Sequence, residues 1–194
     1  MGVKILSFAG STREASLNKR LAKAVARQVQ EFGAEATFID LKDFTMPVYC
    51  GDIEQKDGVP EAAQKLAEIV KAHDGVFLAC PEYNSSITPL LKNTLDWVSR
   101  LRSDDQPPQT PWHGKAYAVG ATSMGALGGI RVIQTMVGLL TNGYQVQVIP
   151  KTIAVARGHE TLTKEGDVQE PQIEVMLQGT VKGLIEAASH LSNK

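Results

Sequence analysis

The stretch Gly10-Ser11-Thr12-Arg13-Glu14-Ala15-Ser16-Leu17-Asn18 decides how the rest of the chain is interpreted. It follows an apolar run at residues 3–9 and precedes a helical pattern that begins at Leu17. This order predicts a strand, a hydroxyl-rich turn and a helix N-terminus, where unpaired backbone N–H groups and the helix dipole favour an anion. The hydroxyl and amide side chains of the stretch add hydrogen-bond donors, and Arg13 adds a cation. Residues 10–18 therefore predict a phosphate site.

The absence of two sequence motifs limits which phosphate-containing ligands this site is expected to bind. The chain has no G-x-x-x-x-G-K-[ST] string, and no G-x-G-x-x-G follows the first predicted strand. A nucleoside triphosphate loop and a dinucleotide fingerprint are therefore disfavoured. Hydroxyl groups gathered around one point suit a terminal phosphomonoester, such as that of FMN. The alternative is purely structural: Ser16 caps the helix, while Ser11 and Thr12 only form a turn.

Composition places the chain among ordinary globular proteins. Its 194 residues are 43% hydrophobic and 21% charged, which predicts a single domain over residues 1–194. The net charge of −1 disfavours nucleic acid and anionic membrane surfaces as partners. No apolar run reaches membrane-spanning length, so no membrane insertion is expected. Cys50 and Cys80 are the only cysteines and form no C-x-x-C pair, which predicts a reducing, cytoplasmic location.

Predicted strands and helices alternate along the chain. Strands are expected at residues 3–9, 36–41, 75–80, 116–121 and 144–149, with residues 151–156 as a possible continuation of the last. Helices are expected at residues 17–32, 60–73, 89–102, 130–140 and 171–191, and a long surface loop at residues 42–58. The pattern predicts a flavodoxin-like three-layer α/β sandwich. Its five-stranded parallel sheet has the order 2-1-3-4-5, with helices on both faces.

In such a sheet, ligands bind beyond the C-terminal ends of the strands, so the loops after strands one, three and four converge. Residues 81–88 follow a fully apolar strand, and their backbone groups are expected to be free for a flat heterocycle. Residues 123–129 contain glycines that allow close backbone approach to a ligand. Structural alternatives remain open for both loops: a cap and turn before the next helix for the first, and tight turn packing for the second.

The motifs taken together resemble the NADPH-dependent FMN reductase family, which includes chromate, quinone and azo reductases of bacteria. Gly-Ser-x-Arg-x-x-Ser-x-Asn at residues 10–18 and Pro-Glu-Tyr-Asn at residues 81–84 carry the resemblance. It continues through Ser85, Pro89, Leu91-Lys92-Asn93, Asp96-Trp97 and Ser99-Arg100. The resemblance implies an FMN-binding fold in which the phosphate and adjoining atoms meet Ser11, Arg13, Ser16, Leu17 and Asn18. The flavin ring would lie against Pro81, Glu82, Tyr83, Asn84 and Ser85, with Ser123, Gly125 and Gly129 on its other side.

The resemblance also implies a homodimer or homotetramer with the third helix at the subunit contact. That helix has a wide apolar face formed by Leu91, Leu95, Trp97 and Val98. The alternative for this face is plain core.

The expected activity is an NAD(P)H-dependent oxidoreductase. NADPH or NADH would pass a hydride to flavin N5, and the reduced flavin would reduce a small-molecule acceptor such as a quinone, azo dye, chromate or free flavin. No catalytic side chain is expected, because no Ser/His/Asp or paired-carboxylate arrangement is recognisable and the cofactor carries the reaction. The four histidines have no ligand spacing, so no metal site is expected. A flavodoxin-type electron carrier and a non-enzymatic flavin-binding protein remain as alternatives.

Overall fold

A twisted parallel sheet runs through the centre of the computed structural model, which describes residues 2–105 and 108–192. Its strands are β1 (Lys4–Ala9), β2 (Glu35–Ile39), β3 (Gly75–Ala79), β4 (Ala116–Thr122), β5 (Gln147–Val148) and β6 (Ile153–Val155). The order is β2-β1-β3-β4-β5, all neighbours are parallel, and β6 also pairs with β4. The predicted flavodoxin-like order 2-1-3-4-5 is confirmed.

Helices cover both faces of this sheet. They are α1 (Leu17–Glu31), α2 (Gly51–Asp57), α3 (Glu61–Lys71), α4 (Pro89–Ser99), α5 (Ile130–Gly138), α6 (Gly158–Thr161) and α7 (Pro171–Ser192). The apolar stripes of α1 and α7 pack on one face of the sheet, and those of α3, α4 and α5 pack on the other. Alternate residues of β1 supply the two cores: Ile5 faces α1, and Leu6 faces the opposite layer. Buried Ser7 is tolerated because its hydroxyl donates to the Ala22 carbonyl of α1 at 2.7 Å.

The fifth position in the sheet differs from the prediction, because two short strands share it. Val148 pairs with Tyr117, and Ile153 pairs with Gly120. Four residues separate the two pairs on the edge side, whereas only two separate them on β4. The extra length contains Pro150, which has no N–H for the sheet ladder. The chain therefore bulges there and rejoins β4 as a sixth strand.

Residues 42–58, predicted as one long loop, include the end of a 3₁₀ turn (Leu41–Asp43) and the whole of α2. None of the seven residues of α2 is buried. The sequence therefore has no apolar periodicity that would predict this helix. The segment before it is fixed to α4. Asn93 accepts from the Tyr49 N–H at 2.8 Å and donates to the Pro47 carbonyl at 2.8 Å. Trp97 Nε1 donates to the same carbonyl at 2.7 Å.

The wide apolar face of α4 belongs to the core of this chain. Its four members are fully buried within the chain: Leu91, Leu95, Trp97 and Val98. The core alternative therefore describes this face, and the predicted subunit contact through these side chains is wrong.

Candidate functional site

A cleft of about 320 Å³ lies where the loops after β1, β3 and β4 meet. Parallel strands deliver these loops to the same edge of the sheet, as predicted. Nine of the thirteen predicted site residues line the cleft: Ser11, Arg13, Ser16, Leu17, Asn18, Pro81, Glu82, Tyr83 and Ser123. The other four predicted residues, Asn84, Ser85, Gly125 and Gly129, do not line it.

The start of α1 keeps hydrogen-bond donors available to a ligand. Ser16 is the N-cap, and its hydroxyl accepts from the Lys19 N–H at 3.4 Å. Among the residues that the structure describes, the backbone N–H groups of Leu17 and Asn18 donate to no protein atom. Capping by Ser16 and anion binding are therefore compatible, because the cap occupies only one of the first-turn donors. Arg13 is exposed at the same cleft, so positive charge adjoins these donors.

Asn18 has a role that the sequence did not indicate. Its side-chain amide donates to the Thr122 carbonyl at 2.9 Å, and its Oδ1 accepts from the Thr122 N–H at 3.1 Å. Asn18 is 5% exposed and Thr122 is 3% exposed. The Asn18 side chain therefore joins α1 to the end of β4.

Gly10 allows the first loop to lie close to α4. A Cβ atom at this position would come within 2.8 Å of the Leu91 Cβ. The Gly10 N–H donates to the Ala79 carbonyl at 3.0 Å, and its own carbonyl accepts from the Thr88 hydroxyl at 2.8 Å. These hydrogen bonds fix the first loop against β3 and the second loop, and the close approach to Leu91 requires glycine at residue 10.

The loop after β3 forms a tight turn. Tyr83 and Ser86 exchange two backbone hydrogen bonds of 3.0 Å, and Asn84 and Ser85 between them have φ values of 50° and 68°. Two consecutive residues at positive φ are typical of a type I′ hairpin turn. The expectation that all backbone groups of this loop are free is therefore wrong for Tyr83 and Ser86. Asn84 and Ser85 point outward at the tip as exposed residues.

Glu82 fixes this loop to α5. Its Oε2 accepts from the Val132 N–H at 3.2 Å, and its Oε1 pairs with the Arg131 guanidinium. The N-cap of α5 is Gly129, which has no side chain to accept from the first turn. The Glu82 carboxylate, 10% exposed, supplies that acceptor from a neighbouring loop. Its carboxylate therefore stabilises the helix terminus while the residue lines the cleft.

The loop after β4 is held mainly by turn packing. Gly129 is buried at φ 84°, and a Cβ there would come within 2.7 Å of the Ala121 Cβ. The packing alternative therefore describes Gly129. Gly125 is exposed, and its carbonyl accepts from the Ser123 hydroxyl at 3.3 Å and the Arg157 N–H at 3.2 Å. Only Ser123 of the three predicted residues reaches the cleft.

Five cleft residues were not predicted as site residues: Ala15, Arg20, Thr122, Met124 and His159. Arg20 and His159 are the two of these with ionisable side chains. Arg20 lies one helical turn after Ser16, and its Nη1 donates to the Leu162 carbonyl at 3.0 Å. The i, i+4 spacing from Ser16 was a signal that could have revealed it. His159 comes from α6, a four-residue helix in a segment for which neither a strand nor a helix was predicted. No pattern in the sequence brings that segment to the cleft.

The two cysteines differ sharply in environment. Cys80 is completely buried at the end of β3, and burial raises the pKa of its thiol far above the ordinary range. Cys80 is therefore a small core residue. Cys50 is exposed and unpaired with the other cysteine. Over residues 2–105 and 108–192, no group of three or more His, Cys, Asp or Glu residues is arranged to hold a metal ion.

The chain belongs to the NADPH-dependent FMN reductase family, whose model matches residues 3–160. Members of this family use FMN with NAD(P)H as the electron donor. A quinone reductase of Escherichia coli K12 is 34% identical over 132 residues, which are 66% of this chain and 64% of that protein. The chain thus matches a little under two thirds of the length of that relative.

Two further relatives match over most of their length. A probable NADPH:quinone oxidoreductase 2 of Oryza sativa subsp. japonica is 30% identical, over 99% of this chain and 92% of that protein. An NADPH azoreductase of Bacillus sp. strain OY1-2 is 30% identical, over 88% and 86% respectively. Among solved structures, FerB of Paracoccus denitrificans, a flavoenzyme NAD(P)H:(acceptor) oxidoreductase, superposes with a TM-score of 0.75. It is 26% identical, and the match covers 98% of each chain.

Proposed function

We propose that this member of the NADPH-dependent FMN reductase family is an NAD(P)H-dependent oxidoreductase with FMN held in the cleft. When bound, FMN supplies hydride acceptance from NAD(P)H and electron delivery to a second molecule. The acceptor is a small molecule, and quinones, azo compounds, chromate and free flavin are the candidates. Relatives named quinone reductase and NADPH azoreductase support the first two.

The hydrogen-bond donors and positive charges at the start of α1 are the main support for FMN as the ligand. The backbone N–H groups of Leu17 and Asn18 are free at a cleft that Arg13 and Arg20 also line. Two amide donors, two cations and the positive end of the α1 dipole suit a doubly charged phosphomonoester. Ser11 and Ser16, which are nearly buried at the same place, add hydroxyl groups.

The rest of the cleft suits a flat ring. Pro81 forms a buried apolar wall, and Tyr83, which is 51% exposed, lies at the mouth. Among the described residues, the backbone N–H groups of Asn84 and Ser85 donate to no protein atom. They lie at the tip of the turn beside Tyr83, outside the lining of the cleft, and we propose that they meet the ring edge where it projects past the mouth and there stabilise negative charge on the reduced flavin. These residues bind and orient the ring, while the turn between Tyr83 and Ser86 holds them in place.

The decisive experiment follows flavin colour under anaerobic conditions. The purified protein, reconstituted with FMN, should bleach promptly when NADPH or NADH is added, and colour should return when a quinone is supplied. A flavodoxin-type carrier would bind FMN but bleach only with a separate reductase, and a non-enzymatic flavin-binding protein would not bleach. Failure to bind FMN would refute the cofactor assignment itself. The net charge of −1 already argues against a carrier that docks on basic partners.

Assembly and location are part of the same proposal. Four exposed apolar side chains lie on the loops after β3 and β4 and at the start of α5: Tyr83, Met124, Leu127 and Ile130. Tyr83 and Met124 also line the cleft. A homodimer or homotetramer that covers them would close the open side of the cleft. Sedimentation of the wild type and of Leu127→Glu tests this, since a charge at a covered apolar site should shift the population to monomer. No described helix has the length and apolarity to span a bilayer. We propose a cytoplasmic location because Cys50 and Cys80 are both free thiols, as is usual in a reducing compartment.

A further inference from the structure

Two contacts fix His159, which lines the cleft, to the first turns of α1. The residue before it, Gly158, packs against the start of this helix, because a Cβ atom there would come within 3.4 Å of the Leu17 Cδ1. Three residues after His159, the Leu162 carbonyl accepts from Arg20 Nη1 at 3.0 Å. These contacts lie on either side of His159 and place it at the end of the cleft proposed for the phosphate.

The backbone of the same segment is fixed to the loop after β4. The Gly158 N–H donates to the Ser123 carbonyl at 2.9 Å, and the Arg157 N–H donates to the Gly125 carbonyl at 3.2 Å. None of these contacts uses the imidazole of His159. Replacement of the ring should therefore leave the segment in place.

The His159 ring is weakly paired with a neighbouring carboxylate. Its Nε2 lies 3.2 Å from Glu160 Oε1, and the two side chains are 40% and 64% exposed. Water screens an ion pair of this exposure, so the pair contributes little. Exposed side chains also exchange rotamers quickly. A phosphate in the cleft can therefore replace Glu160 as the partner of the ring.

Ionisable residues from several elements adjoin His159 in the chain or line the cleft with it: Arg157, Glu160, Arg13, Arg20, Glu82 and Tyr83. The arginines keep their positive charge at every pH of interest. The Glu82 carboxylate is 10% exposed and is paired with Arg131. Histidine is the side-chain type whose charge ordinarily changes between about pH 5 and 8. A change in phosphate binding by the protein over this range therefore points to His159.

From this arrangement we infer that His159, as the imidazolium, binds the phosphate of FMN and makes retention of the cofactor depend on pH. The inference rests on the proposed function, in which FMN occupies the cleft. The charge-assisted hydrogen bond forms at acid pH, where the ring is protonated, and is lost as the pH rises and the ring becomes neutral. His159 therefore strengthens FMN binding at about pH 6 and adds little at about pH 8.5.

Fluorescence titration of the apoprotein with FMN and with riboflavin, which lacks the phosphate, tests the inference without turnover. His159→Gln should weaken FMN binding about tenfold at about pH 6 and less than about twofold at about pH 8.5. Its affinity for riboflavin should equal that of the wild type at both pH values. The phosphate changes its own charge near about pH 6, but comparison of the two proteins at one pH removes this effect. His190→Gln, at an exposed position on α7, is the matched control and should bind both flavins as the wild type does.

A second variant keeps a positive charge at both pH values. His159→Lys should bind FMN more tightly than the wild type at about pH 8.5, because the ammonium group stays charged there. A His159→Lys variant that binds no more tightly than the wild type at this pH would overturn the inference.

Two further outcomes of the His159→Gln titration would overturn the inference. One is an equal loss of affinity for FMN and riboflavin, and the other is a loss of FMN affinity that does not change with pH. A wild type that binds no FMN would refute the proposed function and this inference with it. A wild type that binds FMN and bleaches with NADPH or NADH, beside a His159→Gln variant with unchanged FMN affinity, would refute the inference alone.

Discussion

The side chain of Asn18 and the backbone of Thr122 form a pair of hydrogen bonds, one in each direction, between residues 104 positions apart. The pair joins the start of α1 to the end of β4, and both residues are almost completely buried. It therefore fixes the distance between the loop that would bind the phosphate and the loop that would meet the ring.

Replacing Asn18 tests this pairing. Asn18→Ala removes both hydrogen bonds and leaves a buried N–H and a buried C=O of Thr122 without their partner, so the free energy of unfolding should fall by about 2 kcal/mol. FMN affinity should fall as well, because the loops lose their fixed spacing. Urea unfolding of the apoprotein and flavin fluorescence titration measure the two effects. Gln55→Ala, on the exposed surface of α2, is the control and should change neither. An unchanged unfolding free energy in Asn18→Ala would refute the proposed role.

Arg13 should behave differently from Asn18. It is exposed, so Arg13→Ala should leave the unfolding free energy of the apoprotein within about 0.5 kcal/mol of the wild type. The loss of a cation from the phosphate site should nevertheless weaken FMN binding about tenfold, the equivalent of one charge-assisted hydrogen bond. Fluorescence titration measures the affinity, and Arg102→Ala, another exposed arginine, is the matched control. Retention of FMN at wild-type affinity would show that the phosphate lies elsewhere.

Glu82 offers a graded test of the link between the β3 loop and α5. Glu82→Ala removes the acceptor for the Val132 N–H at a helix N-terminus and should cost about 1–2 kcal/mol of unfolding free energy. Glu82→Gln keeps an oxygen for that N–H and should cost less. Arg131→Ala removes only the half-exposed partner, whose side chain is 54% exposed, and should cost least. Thermal or urea unfolding measures this order. Equal losses for Glu82→Ala and Arg131→Ala would mean that the ion pair, not the helix cap, carries the contribution of Glu82.

The sequence predicts most of this architecture because the relevant signals are local. The apolar run of β3 and the periodic apolar stripes of α1 and α5 predict a strand and two helices without further information. The right-handedness of the β-α-β connections then restricts the order of the strands in the sheet. The polar loops at the carboxyl edge follow from that order. The same local patterns place Ser11, Arg13 and Ser16 at the cleft.

What the sequence does not reveal depends on contacts between distant segments. The hydrogen bonds of Asn18 and the helix cap supplied by Glu82 connect residues 104 and 50 positions apart, and neither leaves a spacing pattern. The same holds for His159, which reaches the cleft through a short helix after β6. The split of the fifth strand can be predicted only in part. Pro150 indicates where the strand is interrupted, but nothing in the sequence indicates that both halves pair with β4.

The contact between Glu54 of α2 and Arg100 at the end of α4 should make stability depend on acid pH. Arg100 Nε donates to both carboxylate oxygens of Glu54, at 2.8 and 3.0 Å, and the Tyr49 hydroxyl donates to Oε2 at 2.9 Å. The hydrogen bond from Arg100 is the main reason why the pKa of Glu54 lies below its ordinary value of 4.5. Because the pKa is lowered by folding, the stabilisation is complete above the ordinary value and is lost as the pH falls through the lowered one.

We therefore expect Glu54→Gln to be less stable than the wild type at neutral pH, with a difference that narrows as the pH falls from about 7 to about 3. Urea unfolding of both proteins across this range measures it. Glu61→Gln is the matched control: Lys65 also lowers the pKa of Glu61, but both side chains of that pair are more than two-thirds exposed. Solvent screens such a pair, so its difference from the wild type should be small at every pH. A Glu54→Gln difference that stays constant with pH would show that packing around Tyr49, rather than the carboxylate charge, fixes this part of the chain to α4.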